Sequence, residues 1–162
     1  MTNVDSRELR SALGCFATGV TVITACAADG TPVGVTSNSF NSVSLEPPLV
    51  LWSIARTSRS FAAFMEARRF VVHVLASGQQ DLSNRFASKA EDKFAGADLE
   101  IEITADGVPI LAGCTAWFEC QTAQTHDGGD HVIIIGEVMM FRAAQKAPLL
   151  FHSGRYAQIS EK

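Results

Sequence analysis

The sequence has none of the short motifs that most often announce a chemistry. It lacks a Gly-x-Gly-x-x-Gly turn, a Gly-x-x-x-x-Gly-Lys phosphate loop, a Gly-x-Ser-x-Gly elbow and a His-Glu-x-x-His pair. A dinucleotide held on a Rossmann turn, a P-loop hydrolase, an acyl-enzyme and a zinc protease all lose their usual support. Charge is also scarce: Asp, Glu, Lys and Arg make up 19% of the chain and the net charge is −4. A nucleic-acid surface needs a broad basic stripe, which this balance excludes. The local gathering of Arg56, Arg59, Arg68 and Arg69 suits a small anionic ligand better.

Long apolar runs are missing too. None approaches the roughly 18 residues of a membrane-spanning helix, and Met-Thr-Asn-Val-Asp-Ser-Arg-Glu lacks the layout of a signal peptide. The expectation is a cytoplasmic protein with no membrane partner. The four cysteines, Cys15, Cys26, Cys114 and Cys120, form no Cys-x-x-Cys pair and read as small buried thiols in a reducing compartment. His126 and His131 flank an acidic turn without a clear third ligand, so no metal is expected.

What is present is apolar: 47% of 162 residues are hydrophobic, enough for one well-buried domain. With so few charges to solvate a small sphere, self-association is the natural way to cover the excess. Asp5 and Glu8 precede Leu9, Ala12, Leu13 and Phe16 at helical spacing, predicting a helix over about Ser6 to Phe16. Val20 to Ala27 and Val33 to Ser39 read as strands joined by the Asp29-Gly30 turn. Glu46-Pro47-Pro48 leads into a buried strand ending near Ile54, and a helix starts near Ser58 or Ser60. Phe70 to Leu75 is the next strand, with His73 half-buried in a structural role.

Gln79 to Ala87 forms a short helix with Leu82 and Phe86 inward, and Lys89 to Phe94 suggests a further helical turn. The segment Leu99 to Gly113 is irregular, with an edge strand at Leu99 to Thr104 and Ile110 and Leu111 under the rim. Thr115 to Thr125 and Val132 to Phe141 then make one long hairpin around a turn at His126 to His131. Many short strands with two or three interspersed helices predict a mainly β single domain, a closed or split antiparallel barrel.

The densest polar stretch is Thr36, Ser37, Asn38 and Ser39, followed by Asn41, Ser42 and Ser44, between two apolar runs. Alone it reads equally as a polar strand end or as a binding edge. Phe16-Ala17-Thr18-Gly19-Val20-Thr21-Val22-Ile23-Thr24 resembles the flavin reductase family, as do Gly34-Val35-Thr36-Ser37-Asn38-Ser39-Phe40, Ser42-Val43-Ser44-Leu45-Glu46-Pro47-Pro48 and Gly129-Asp130-His131. The likeness spans about Leu9 to Ile159.

The resemblance implies a homodimeric, FMN-binding split barrel that uses NADH or NADPH to reduce FMN or FAD for a separate flavin-dependent monooxygenase. Flavin and nicotinamide carry the hydride chemistry of such a protein, which supplies stacking, orientation and electrostatics. By resemblance, Thr36 to Ser39 contact the ring and ribityl chain. Ser53, Arg56, Thr57, Ser58 and Ser60 are the candidates for the phosphate, with Arg85 as a second positive arm, and Ile54, Ala55 and Phe86 beside them also contact the flavin. Tyr156 and Phe151 wall the pocket, or equally close the barrel core. His131 orients the nicotinamide and need not act as acid or base. A non-catalytic flavin store or redox sensor, and an FMN-dependent oxidase on the same barrel, are the alternatives.

Overall fold

The computed structural model describes residues 4–96 and 99–160. Helix α1, Ser6–Gly14, starts where the Asp5 carboxylate accepts hydrogen bonds from the backbone N–H groups of Arg7 and Glu8, at 2.8 and 3.0 Å. This cap satisfies two of the four free donors of the first turn. Strand β1, Thr18–Gly19, leads into β2, Thr21–Cys26, which turns back at Gly30 into β3, Pro32–Ser37. Strand β4, Asn41–Leu45, and β5, Pro48–Ala55, form the next hairpin.

Helix α2 is Phe61–Glu66, β6 is Arg69–Val74 and α3 is Gln80–Ala87. A small hairpin pairs β7, Ile101–Ile103, with β8, Pro109–Leu111. The long strands β9, Ala116–Gly128, and β10, His131–Ala143, are followed by a hairpin of β11, Leu150–His152, and β12, Arg155–Ala157. Lys89 to Phe94 carries bends and no turn, so the expected helical turn there is absent. The long hairpin also runs further than its apolar pattern suggested, because two-stranded pairing continues through the polar tip to a two-residue turn.

Seven antiparallel strands make the main sheet, in the order β3-β2-β6-β9-β10-β5-β4. Strand β5 alternates as a half-buried strand should, with Val50, Trp52 and Ile54 inward. They meet Ile23, Phe64, Phe70, Val72, Val132 and Ile134 in the main core. Trp52 lies edge-on to Phe64 with ring centroids 5.0 Å apart. The sheet curls until the chain after β3 approaches β5, but there side chains replace the backbone ladder. Ser39 Oγ accepts from the Ser53 N–H at 2.8 Å. The barrel is therefore split along this line.

His73 is fully buried rather than half-buried. Its Nδ1 lies 2.9 Å from the Val22 carbonyl and donates to it, while Nε2 accepts from Leu111 N–H at 3.0 Å. One imidazole thus ties β6 to β2 and to the β7–β8 hairpin. Thr24 Oγ1 adds a bond to the Pro109 carbonyl, and Ile110 and Leu111 are buried below. Of the cysteines, Cys114 and Cys120 are buried as expected. Cys26 is only partly covered and Cys15 is exposed, because α1 buries none of its residues in the single chain.

Candidate functional site

A cleft of about 210 Å³ opens between the end of β3, helix α3 and the β11–β12 hairpin, lined by Val20, Thr36, Ser37, Asn38, Ser83, Ala87, Phe151 and Tyr156. Helix α3 sits close on β3 because position 34 is glycine. A Cβ there would stand 2.4 Å from the Phe86 ring, and Phe86 is itself fully buried. This close approach lets the Thr36 hydroxyl donate to the Ser83 carbonyl at 2.6 Å.

The Tyr156 hydroxyl donates to Asn84 Oδ1 at 2.9 Å and lies 2.8 Å from Ser83 Oγ, which in turn donates to it. Phe151 meets Tyr156 edge to face at 5.5 Å. One wall is therefore aromatic and the opposite rim carries hydroxyls and the exposed Asn38 amide.

The hydroxyl rim continues into the split. Ser37 Oγ and Ser39 Oγ are 2.7 Å apart, and Ser39 reaches both the N–H and the carbonyl of Ser53. Two residues along β5, Ala55 pairs with His131. Ile54 between them turns its side chain into the core, so any role it has in a site is through its backbone.

His131 ends the Gly129-Asp130 turn, where Gly129 has φ +77° and Asp130 is not in the left-handed region. A glycine at the first central position is what a tight turn of this hand requires. The imidazole Nδ1 lies 2.7 Å from Asp130 Oδ1, which fixes the ring and leaves Nε2 outward. That hydrogen bond and the accompanying charge hold the Asp130 carboxyl below the usual carboxylate range.

The residues assigned to an anionic group fall in several places. Arg56 turns its guanidinium to Asp127 and the Gly129 carbonyl. Thr57 is exposed, and Ser58 Oγ accepts from the Ser60 N–H at 3.3 Å. Ser60 caps a helix of only six residues and lines a second cavity of about 140 Å³ with Arg59, Lys93 and Gly34. Arg85 donates to the carbonyls of Lys93 and Ala95 and so anchors the loop after α3.

From α3, Ser83 lines the cleft and Asn84 accepts from the Tyr156 hydroxyl, two residues that sequence reasoning passed over. Ser83 precedes Phe86 by three positions, so the inward-facing phenylalanine already placed a hydroxyl on the buried face. Among the described residues no three His, Cys, Asp or Glu side chains come together as a metal site, and no helix is long and apolar enough to cross a membrane.

A family model described as a flavin reductase like domain matches residues 13–160. The chain is 48% identical over 158 residues to the FMN reductase (NADH) SmoA of Agrobacterium fabrum, covering 98% of this chain and 88% of that protein. It is 48% identical over 150 residues to the reductase component of the flavin-dependent trigonelline monooxygenase of Acinetobacter baylyi. That match covers 93% of this chain but 48% of the relative, so the chain spans about half its length. Among solved structures, the NADH:FAD oxidoreductase SgcE6 of Streptomyces globisporus, in complex with NAD and FAD fragments, superposes with a TM-score of 0.90. It is 35% identical, covering 96% of this chain and 93% of that one.

Proposed function

The chain belongs to the flavin reductase family, and from that premise we propose that it oxidises NADH or NADPH and reduces FMN or FAD, which then leaves to serve a flavin-dependent monooxygenase. The observation that carries the reading is the cleft, in which the Phe151 and Tyr156 wall faces the Thr36, Ser37 and Asn38 rim. A flavin demands an apolar slot with hydrogen-bond donors along one edge of its ring, and this residue set fits it. Flavin, as substrate, supplies the hydride-accepting chemistry.

The chain's own residues bind and orient. Ser37 and Asn38 offer a hydroxyl and an amide at the mouth, while Thr36, whose hydroxyl donates to the Ser83 carbonyl, holds the end of β3 against α3. Ser83 and Asn84 hold the Tyr156 ring in place through its hydroxyl. Ser39 and Ser53 brace the split between the cleft and the β5–β10 end. His131 presents Nε2 from a rigid turn, where it orients the nicotinamide. No side chain has to move a proton for a hydride to pass between two stacked rings; alignment is what the protein contributes.

We also assign the exposed apolar residues Leu13, Phe16, Leu45, Met139, Met140 and Phe141 to a homodimer interface. Steady-state oxidation of NADH and NADPH, each with FMN and with FAD, tests the function. Turnover with at least one pair is expected. Flavin binding without turnover in any pair would make the protein a flavin store instead.

A further inference from the structure

Arg56 is a basic residue beside a polar loop, and its sequence context groups it with a phosphate. In the fold every one of its donors that finds a partner finds it on the long hairpin's tip. Its backbone N–H donates to the Asp130 carbonyl at 2.9 Å, Nε donates to the Gly129 carbonyl at 2.8 Å, and one terminal nitrogen donates to Asp127 Oδ1 at 2.5 Å. The Asp127 carboxyl is held below its ordinary range by the hydrogen bond and charge of Arg56 and by the Gly129 N–H. These three partners are drawn from the four residues immediately before His131.

The tip needs such a brace. Strand β6 pairs with β9 only as far as Gln121, so the last residues of β9 have β10 on one side and no strand on the other. On the far side of β10, β5 pairs to Ala55 against His131 and then ends. Arg56 is the next residue. From the end of β5 its side chain reaches across β10 to β9, joining three strands where the ladder stops. Hairpin ends with few packed contacts are where local opening is easiest. The planar guanidinium fork can hold a carbonyl and a carboxylate at once in fixed directions, which an ammonium cannot do.

We infer that Arg56 is a positioning residue for hydride transfer, clamping the Asp127–Asp130 turn so that the His131 imidazole meets the nicotinamide in one orientation. The inference rests on the reading of His131 given above. An exposed pair of this kind adds little to global stability. Its effect is on the turn, and so on nicotinamide binding rather than flavin binding.

The test uses the full chain with Arg56→Met, Asp127→Asn, the double variant and Arg56→Lys, with His131→Ala as the reference. NADH KM and kcat, the NAD⁺ Kd by calorimetry under saturating oxidised FMN, the FMN Kd by fluorescence quenching, and Tm are measured for each. Arg56→Met and Asp127→Asn each raise the NADH KM and the NAD⁺ Kd roughly 3- to 10-fold, while the FMN Kd stays within about twofold and Tm within about 2 °C. The double variant is no worse than Arg56→Met, and Arg56→Lys falls between it and the parent.

Weaker FMN binding in Arg56→Met with a silent Asp127→Asn would overturn the inference and return Arg56 to a phosphate. Silence of both, with a raised NADH KM in His131→Ala, would overturn the clamp but leave His131 its role. Silence of His131→Ala as well would remove the reading on which the clamp rests.

Discussion

Tyr156 is the chain's single tyrosine, and its hydroxyl lies between Ser83 Oγ and Asn84 Oδ1 while its ring walls the cleft. Tyr156→Phe keeps the wall and removes both bonds. Flavin affinity should fall roughly 2- to 10-fold, measured by quenching of flavin fluorescence; an unchanged Kd would mean that the hydroxyl only closes the core. His131→Ala tests a different ligand. It should lower kcat/KM for NADH about 5- to 150-fold and leave flavin affinity nearly unchanged, because one positioned hydrogen bond is lost. Weaker flavin binding with normal hydride transfer would put His131 on the wrong ligand.

Thr36, Ser37 and Asn38, which line the cleft, stand in one compact local run of the sequence. Ser83 was hidden because a serine on a helix looks ordinary until the helix is docked. The partner of Arg56 was hidden for another reason: Asp127 is 71 positions away.

At the scale of elements, periodicity and turn chemistry carried most of the fold. The Asp29-Gly30 hairpin, the β5 strand and helix α3 follow from signals within a few residues of one another. The β7–β8 hairpin was half legible. Its turn at Gly107 is written locally, but its attachment to the barrel depends on His73 and Thr24, which lie in other strands. His73 also sets a pH window. Burial pushes its imidazole down from the ordinary 6.5 to about 4, against the opposing effect of the Val22 carbonyl.

The unfolded chain takes up that proton near pH 6.5 and the folded chain does not until about pH 4. The contribution is therefore complete above about 6.5 and is lost as pH falls toward 4, a change of roughly 3 kcal/mol. Urea midpoints measured across that range should decline with uptake of about one proton on unfolding. His73→Phe should be destabilised by roughly 1–3 kcal/mol at neutral pH, since it leaves the Leu111 N–H without the imidazole acceptor and removes the ring's bond to the Val22 carbonyl, and should lose that slope. A wild-type midpoint flat from pH 6.5 to 4.5 would contradict this.

At the scale of the molecule, the low charge content and the uncovered apolar side chains point the same way. Helix α1 buries nothing in the single chain, and Leu45 is 93% exposed. Sedimentation at micromolar concentration should show a dimer, and flavin binding should weaken on dilution as dimers separate. A fully active monomer would refute the assignment of these surfaces.

We propose that flavin passes through this protein as a substrate. The most direct test is to gel-filter the protein after incubation with FMN, then titrate free FMN into it while following NADH oxidation. Turnover should be negligible without added flavin and should rise saturably with it, with a half-maximal concentration of micromolar order, about −8 kcal/mol of binding. Flavin that survives gel filtration and supports full turnover with none added would contradict it.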